Sequence, residues 1–415
     1  MSPTTRRLLT VRALRSVGQG ALVVAFTLYL RQLGWTAVHI GLLLTGGGLL
    51  NALASLLVGT ISDRYGAKPF LLVYEAFVVV AGVIGTATSY TPLLAAAALI
   101  GSFGRGQNGS AGPFSPAEGA WLAEDVASDD RGRIYSLNSA IGFFGMAIGA
   151  GAAGLLPLWA RWLTGPLAYR PLFILTIIGA VASAVVLQST PGGHGSLYRE
   201  QQTQEKQPPG EPLPEAPARR PRSEENRMLL LLMLTNAFNG VAIGLTGPLI
   251  AYWFNIKFGV GPGKIGAVFV LTFVLTGLAS MATGELTRVF GVVGSVLAAR
   301  LVGLVLLVLL PLAPTYWMAA ALFIFRSAFN RSTGGARQAL AVELVAPTRR
   351  GLAISLNMVS NQLPSSAGPT VAGYLIQEGA LALPFYAAAG LQLIYLIMYV
   401  RLFRAYDIGK PKRPA

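Results

Sequence analysis

Three arginines interrupt long apolar stretches of this 415-residue chain. Arg105 lies in LIGSFGRGQNGSAG, and Arg326 and Arg331 lie in ALFIFRSAFNRS. At about 1.5 Å per helical residue, Arg105 is roughly 20 Å and Arg326 roughly 16 Å from the start of its apolar stretch. A guanidinium buried that deep in a membrane is costly unless a wet cavity or a partner receives it, and it binds carboxylates and phosphates well. We therefore predict that these arginines bind a solute; the alternative is that they only join neighbouring helices.

Amide side chains are spread through the same apolar stretches. Each amide donates and accepts hydrogen bonds, so it suits a neutral or anionic organic solute, but it equally suits a bond between two helices. The amides predicted to contact a solute are Gln19, Asn108, Asn239, Asn330, Asn357 and Asn361.

Carboxylates are scarce at the same depth. Glu75 lies within an apolar stretch, whereas Glu118 lies near the predicted inner end of another. A cavity with deep arginines and no deep carboxylate favours anionic or neutral solutes over cations. Arg300 occupies the place of Glu75 in the second half of the chain, and a structural pairing is the favoured interpretation of both residues.

A short charged turn, GTISDRYGAKP, separates the second and third apolar stretches. It places Gly59, Asp63, Arg64, Gly66 and Lys68 at the spacing G-x-x-x-D-R-x-G-x-K. Glycine permits a tight turn, and charges at the adjoining helix ends can pair or meet helix dipoles. The turn is therefore predicted to join two helices and to carry a charged contact.

The elements that must position these residues are membrane-spanning helices. Hydrophobic residues make up 53% of the chain and charged residues 12%, with a mean hydropathy of +0.58, which excludes an ordinary soluble protein. Apolar runs of about 20 residues can cross a hydrocarbon core roughly 30 Å thick. The predicted spans are 12–31, 38–61, 69–89, 92–114, 134–158, 170–189, 228–255, 263–284, 291–311, 315–336, 353–376 and 380–401.

Most of the 32 Lys and Arg residues fall on one side of these spans. This positive-inside pattern predicts that both termini are cytoplasmic in an inner or plasma membrane, and it argues against nucleic-acid binding as the reason for the net charge of +15. The polar, Pro-rich residues 190–226 predict a mobile cytoplasmic linker between units 1–189 and 227–415. With no cysteine and two distant histidines, no metal site is predicted.

The two predicted units repeat each other. IGLLLTGGGLLNALASLLVGTISDRYG (40–66) returns as IGAVFVLTFVLTGLASMATGELTRVFG (265–291), and RGRIYSLN (131–138) returns as RRGLAISLN (349–357). Parallel halves of a membrane protein usually enclose a solute site between them. The repeat therefore predicts a site at the boundary of the two halves.

The twelve spans, the charged turn and its degenerate copy GELTRVFG together resemble the major facilitator superfamily over essentially the whole chain. The spacing R-x-x-x-G of Arg105 and Gly109 resembles a second motif of many proton-coupled members. The resemblance implies an all-α integral membrane protein with twelve transmembrane helices in two pseudo-symmetric six-helix bundles. It also implies a transporter rather than an enzyme, with helices 1, 4, 7 and 10 lining the central path.

The resemblance further implies a gate at the cytoplasmic face. By analogy, Asp63 faces Arg349 and Arg350 at the start of helix 11, while Arg64 and Lys68 meet acids that follow helix 4. Those acids are Glu118, Glu124 and Asp125.

The activity implied by the resemblance is secondary active transport by alternating access, with protons as the coupling ion and Glu75 and Glu118 as the candidate proton carriers. The leading hypothesis is an exporter or antiporter of a small neutral or anionic organic solute. The alternatives are an uptake carrier or exchanger for organic anions and, in another class, a non-transporting receptor or scaffold. The expected partners are the solute, protons and the lipid bilayer, and the protein is expected to be a monomer without a cofactor.

Overall fold

The computed structural model describes residues 1–107, 112–113, 115–126, 131–192, 221–332, 334, 337 and 350–403, and every regular element in them is a helix. This confirms the all-α prediction. The first half contains α1 (Pro3–Gln32), α2 (Ala37–Tyr65), α3 (Lys68–Ala87), α4 (Thr91–Gly101), α5 (Ser115–Glu124), α6 (Arg131–Gly154), α7 (Leu156–Trp159) and α8 (Arg170–Gln188). The second half contains α9 (Arg222–Thr246), α10 (Ile250–Phe258), α11 (Pro262–Leu309), α12 (Tyr316–Ser332), α13 (Arg350–Gln377) and α14 (Leu383–Phe403).

Capping side chains set where the first two helices begin. The Ser2 hydroxyl accepts a hydrogen bond from Thr5 N (3.0 Å) at the start of α1, and the Thr36 hydroxyl accepts one from His39 N (3.3 Å) at the start of α2. These bonds satisfy backbone N–H groups that the first helical turn leaves without partners. α2 stops before Gly66, which has a φ of 80°, a conformation that glycine adopts readily.

The fourth predicted span is interrupted. Its helix, α4, ends at Gly101, and Ser102 then adopts a left-handed backbone with a φ of 54°. Gly104 and Gly106 follow with φ values of 72° and 88°, and this glycine-rich segment forms no helix. The prediction that Arg105 lies on a helix is therefore wrong, because Arg105 lies in this break.

The seventh predicted span is interrupted as well. α9 ends at Thr246 and α10 begins at Ile250. Between them, Gly247 N donates to Ile243 O (2.8 Å), and Pro248 has no N–H to continue the helical bonds. α9 also begins at Arg222, so the last five residues of the predicted linker, 222–226, are helical.

Nine helical segments among the described residues are long and apolar enough to cross a membrane. Each of the twelve predicted spans overlaps a helix, but the count of twelve is not confirmed. The fourth span yields a helix of only 11 residues, and the tenth yields the 17-residue α12. A single 48-residue helix, α11, covers the eighth and ninth spans. The prediction of two separate helices joined by a turn is therefore wrong here.

The two halves pack in the same way. α1 contacts α6 and α8, and its counterpart α9 contacts α13 and α14. Glycines permit the close approach, since a Cβ at Gly149 of α6 would lie 1.9 Å from Val17 O, and one at Gly368 of α13 would lie 2.2 Å from Gly244 C. The halves meet where α2 packs along α13 and α6 packs along α11. These two helix pairs flank the boundary at which the repeat predicts a site.

Candidate functional site

A cavity of about 230 Å³ lies between the two halves. Its walls come from α1, α2, α3, α8 and the break after α4 on one side, and from α9 and α13 on the other. Among the described residues, the charged side chains that line it are Arg15 and Arg105, and no carboxylate lines it. Its polar walls also include Gln19, Asn51, Tyr74, Ser102, Thr176, Asn361, Gln362 and Ser365.

Arg105 reaches the cavity from the break after α4. Its backbone N–H donates to Ser102 O (3.4 Å), and its guanidinium donates to Leu44 O of α2. Gly48 of α2 provides the space, because a Cβ there would lie 2.5 Å from both terminal guanidinium nitrogens and 2.5 Å from Ser366 Oγ. The guanidinium therefore lies between the two halves. Its described hydrogen-bond partner is an uncharged carbonyl.

A buried ion-pair cluster borders the same cavity. Arg15 Nε lies 2.7 Å from Glu75 Oε1, and Arg15 Nη1 lies 2.8 Å from Glu118 Oε2. The arginine also stacks over the ring of Tyr74, with Cζ 5.6 Å from the ring centroid. Glu75 is 0% exposed and Glu118 is 3% exposed, so water screens these contacts very little.

This cluster corrects two expectations. Buried carboxylates lie beside the cavity, since Glu118, expected near an inner helix end, contacts Arg15 together with Glu75. Lys68, which was expected to meet acids, donates instead to Gln188 O (2.9 Å) and Thr190 O (2.7 Å). The interpretation of Glu75 as part of a structural pair agrees with its ion pair to Arg15. Arg15 also lines the cavity.

Arg15 was not among the residues predicted to line the site. A signal was available: Arg12 and Arg15 are three residues apart in an apolar helix, and Gln19 follows one turn later on the same face. Arg12 is also buried, at 2% exposed, and a Cβ at Gly142 of α6 would lie 2.6 Å from its Nε. Arg15 and Gln19 of α1 therefore belong with the site, whereas Arg12 packs against α6.

Two of the predicted amides line the cavity, Gln19 and Asn361. Asn239 lies behind Asn361 and joins it to Arg300, because Arg300 Nη1 donates to Asn239 Oδ1 (2.8 Å) and Asn239 Nδ2 donates to Asn361 Oδ1 (2.7 Å). Asn357 accepts from Asn236 Nδ2 at 2.8 Å. These two pairs join α9 to α13 within one half.

The remaining predicted amides lie elsewhere. Asn330 packs against Gly303, where a Cβ would lie 2.3 Å from Asn330 Oδ1, and it does not line the cavity. Asn108 lies outside the described residues.

An unpredicted amide pair connects the two halves across the cavity. Gln362 Nε2 of α13 donates to Asn51 Oδ1 of α2, and Asn51 Nδ2 donates to Ser102 Oγ (3.4 Å). Both amides line the cavity. Asn51 is the only amide in the apolar run of the second predicted span, which was a usable signal.

The two arginines predicted as anchors in the second half lie away from the cavity walls. Arg326 Nη2 donates to Thr246 Oγ1 (3.2 Å), and the Arg331 guanidinium lies over Phe273, with Cζ 5.7 Å from the ring centroid. Arg326 interacts electrostatically with both Arg300 and Arg331. The structure therefore gathers these arginines inside the second half, and only Arg105 of the three predicted anchors borders the cavity.

Most of the predicted cytoplasmic gate lies outside the part of the chain whose side chains the structure describes. Gly66 ends α2 as predicted from the turn. The description does not extend to the side chains of Asp63, Arg64, Glu124 and Arg350, to the surroundings of Gly59, or to any part of Arg349.

The halves are in contact at the opposite, predicted outer face. Arg31 at the end of α1 donates to Asn255 Oδ1 of α10, and Thr45 Oγ1 of α2 lies 2.7 Å from Thr370 Oγ1 of α13. Backbone contact is close too, since a Cβ at Gly41 would lie 2.4 Å from Pro369 O. The cavity is therefore covered on its predicted outer side.

A family model described as Major Facilitator Superfamily matches residues 8–231 and again residues 232–415. The two matches divide the chain close to the boundary of the sequence repeat.

Relatives and solved structures are similar to the chain at low identity. An uncharacterized membrane protein of Saccharomyces cerevisiae is 20% identical, over 95% of this chain and 92% of its own length. The class C tetracycline resistance protein of Escherichia coli is 33% identical over 121 residues, which is 29% of this chain and 28% of that protein. The structure of a D-xylose-proton symporter superposes with a TM-score of 0.70 at 15% identity, covering 95% of this chain and 96% of that one.

Proposed function

The chain belongs to the Major Facilitator Superfamily, and from that premise we propose that it is a secondary active transporter of a small neutral or anionic organic solute. It works by alternating access, with protons as the coupling ion, and exports or antiports its solute. We further propose that it acts as a monomer in an inner or plasma membrane, with both termini in the cytoplasm.

The cavity between the halves carries this proposal. Both halves line it, and contacts between them cover it on its predicted outer side. A site shared by two rocking halves becomes accessible from alternate sides when those contacts break and others form. Asn51 and Gln362, which bond across the cavity, are suited to part and rejoin in each cycle.

The charges on the cavity walls support a neutral or anionic solute. Arg15 has two carboxylate partners, whereas the described hydrogen-bond partner of the Arg105 guanidinium is a neutral carbonyl. Arg105 thus supplies the positive charge that a solute anion would neutralise. Arg326 and Arg331 do not line the cavity, so Arg105 alone retains the anchor role.

Proton coupling is best supported at the Arg15 cluster. Glu75 and Glu118 hold one guanidinium between them at the cavity wall. Protonation of either carboxylate weakens its ion pair with Arg15, which changes the charge beside the solute. We expect Glu75→Gln and Glu118→Gln to lose solute accumulation driven by a pH gradient while they retain solute exchange at equal pH.

The test is transport by the purified protein in liposomes. A thermal-stability screen first identifies a solute, because a bound solute raises the unfolding temperature by mass action. Uptake of that labelled solute is then followed with the pH gradient imposed in each direction.

Two matched variants test the anchor. Arg105→Gln and Arg326→Gln both remove a guanidinium from within the helical bundle, but only Arg105 borders the cavity. For an anionic solute, we expect affinity to fall at least tenfold in Arg105→Gln, which is about 1.4 kcal/mol, and less than twofold in Arg326→Gln. Equal affinities in the two variants would overturn the anchor role of Arg105.

The same liposomes separate the alternatives. An antiporter accumulates its solute when the lumen is acidic, whereas a proton-coupled uptake carrier does so when the outside is acidic. A receptor or scaffold that does not transport shows neither, and its solute leaves the reactivity of single cysteines on the two faces unchanged. The chain has no native cysteine, so such cysteines can be introduced one at a time.

A further inference from the structure

A second, smaller cavity of about 40 Å³ lies where the two interrupted spans meet. The break after α4 contributes Arg105, Gly106 and Gln107, and the break between α9 and α10 contributes Gly247 and Pro248. Irregular backbone inside a membrane is tolerated where it is buried in protein or lines a polar cavity. Two such breaks that meet at one cavity indicate a binding site.

The small cavity adjoins the large one. Arg105, Gly106, Ile243 and Ser365 line both. A molecule in the large cavity can therefore extend one of its groups past Arg105 into the small one.

Gln107 gives the small cavity its chemistry. It is 4% exposed, and its Oε1 accepts no hydrogen bond from any residue that the structure describes. Burying an amide without partners costs free energy that a bound polar group restores. Because a half-turn of the amide exchanges its oxygen and its NH₂ group, Gln107 can equally present two donors to an anion.

The volume limits the size of that group. At roughly 10–15 Å³ for each water-sized group, a cavity of about 40 Å³ accommodates about three to four non-hydrogen atoms. A carboxylate has three such atoms, in one plane, whereas a sulfonate or a phosphoryl group has more and is tetrahedral. Arg105 lies beside the cavity, and its positive charge favours the ionised carboxylate over the neutral carboxylic acid.

We infer that the small cavity between the two helix breaks binds the carboxylate of a monocarboxylate solute, while the remainder of that solute occupies the large cavity. Arg105 and Gln107 hold the carboxylate, and the amides of the large cavity contact the uncharged part. This inference rests on the proposed transport function, and it narrows the solute class from neutral or anionic molecules to monocarboxylates.

Matched ligands test the inference by thermal stabilisation of the purified protein. The aromatic probes are benzoate, benzamide and benzenesulfonate. The aliphatic probes are hexanoate, hexanamide and hexanesulfonate, and each probe is used at up to 10 mM. We expect the carboxylate of at least one series to bind at least tenfold more tightly than its amide and its sulfonate. Stabilisation by no carboxylate, or equal stabilisation by a sulfonate, would overturn the inference.

Variants then locate the carboxylate. Gln107→Leu replaces a buried amide with an apolar side chain of similar size, so the fold should be unaffected or slightly more stable. We expect it to weaken carboxylate binding at least tenfold and to remove the preference over the amide. A preference that survives in Gln107→Leu would exclude the small cavity as the carboxylate site.

Two adjacent glycines of α2 provide a second, independent pair of variants. A Cβ at Gly48 would lie 2.5 Å from the guanidinium of Arg105 and must displace it, whereas one at Gly47 has its nearest neighbour, Arg105 Cδ, at 3.7 Å. Gly48→Ala is expected to weaken carboxylate binding at least tenfold, and Gly47→Ala less than twofold. Equal effects would contradict the inference.

Transport of the same probes in liposomes separates this inference from the proposed function. If an amide or a sulfonate is transported as well as its carboxylate, the monocarboxylate site is wrong and the transporter stands. If a carboxylate binds through Arg105 and Gln107 but no probe crosses the bilayer, the site stands and the transport function fails.

Discussion

Replacing Glu75 and Glu118 by glutamine, singly and together, should destabilise the protein non-additively. Both carboxylates contact the same guanidinium, at 2.7 Å and 2.8 Å, and all three side chains are buried. After a single replacement, Arg15 keeps one carboxylate. After the double replacement it loses both, and Arg12, which interacts electrostatically with Arg15 and Glu118, adds repulsion between like charges.

The magnitudes follow from this geometry. Charges about 4 Å apart attract by roughly 4 kcal/mol at an effective dielectric constant of 20. Each single replacement loses one such attraction but also relieves repulsion between the two carboxylates and the cost of burying one of them, so we expect a net loss of about 1–2 kcal/mol. The double replacement leaves a buried cation without either carboxylate and should cost about 4–6 kcal/mol, since breaking a buried pair typically costs about 3–5. The interaction energy, the cost of the double replacement minus the summed single costs, is therefore about 2 kcal/mol.

The assay is unfolding of the purified protein in one detergent by a graded SDS titration, with ellipticity as the signal. Glu378→Gln is the matched control, because Glu378 is an exposed glutamate and should change stability by less than about 0.5 kcal/mol. If the cost of the double variant equals the sum of the single costs within about 0.5 kcal/mol, the shared guanidinium does not couple the two carboxylates.

Two further predictions concern contacts between helices. Gly149→Ala should destabilise the protein by about 1–3 kcal/mol, because its Cβ would lie 1.9 Å from Val17 O; Gly151→Ala, whose nearest contact would be 3.6 Å away, should be tolerated, and similar melting temperatures would contradict this. Cysteines at Thr45 and Thr370, whose hydroxyls are 2.7 Å apart, should form a disulfide between the halves on oxidation and stop transport until reduction. Undiminished transport by the fully cross-linked protein would show that these helices need not separate.

The resemblance of the two halves was predictable because it depends on order along the chain alone. Matching strings at 131–138 and 349–357 predict matching helices, and the structure packs α6 against α1 and α13 against α9 accordingly. The breaks were harder to predict. An apolar run leads into the segment around Arg105, so we predicted one helix through it, whereas the left-handed Ser102 and two glycines with positive φ end that helix.

The candidate site was predicted only in part, because facing directions are a tertiary property. Arg105 and Arg326 have the same residue type and a similar predicted depth, yet only Arg105 borders the cavity. Arg326 instead meets Thr246 within its own half. Nothing in the local sequence fixes which side of a helix faces a cavity when apolar residues surround it on every side.

The amino-acid sequence by itself determined that this is an all-α membrane protein of two repeated halves, since length, hydropathy and order along the chain suffice for that. The tertiary structure decided which charges meet. Arg15 pairs with carboxylates 60 and 103 positions away, and Asn51 with an amide 311 positions away. Such contacts depend on the rotation of each helix about its axis and on where each helix breaks. They also depend on glycines, which allow two helices to approach closely. The same packing brought two helix breaks together around Gln107, which no local pattern distinguishes from an ordinary polar residue.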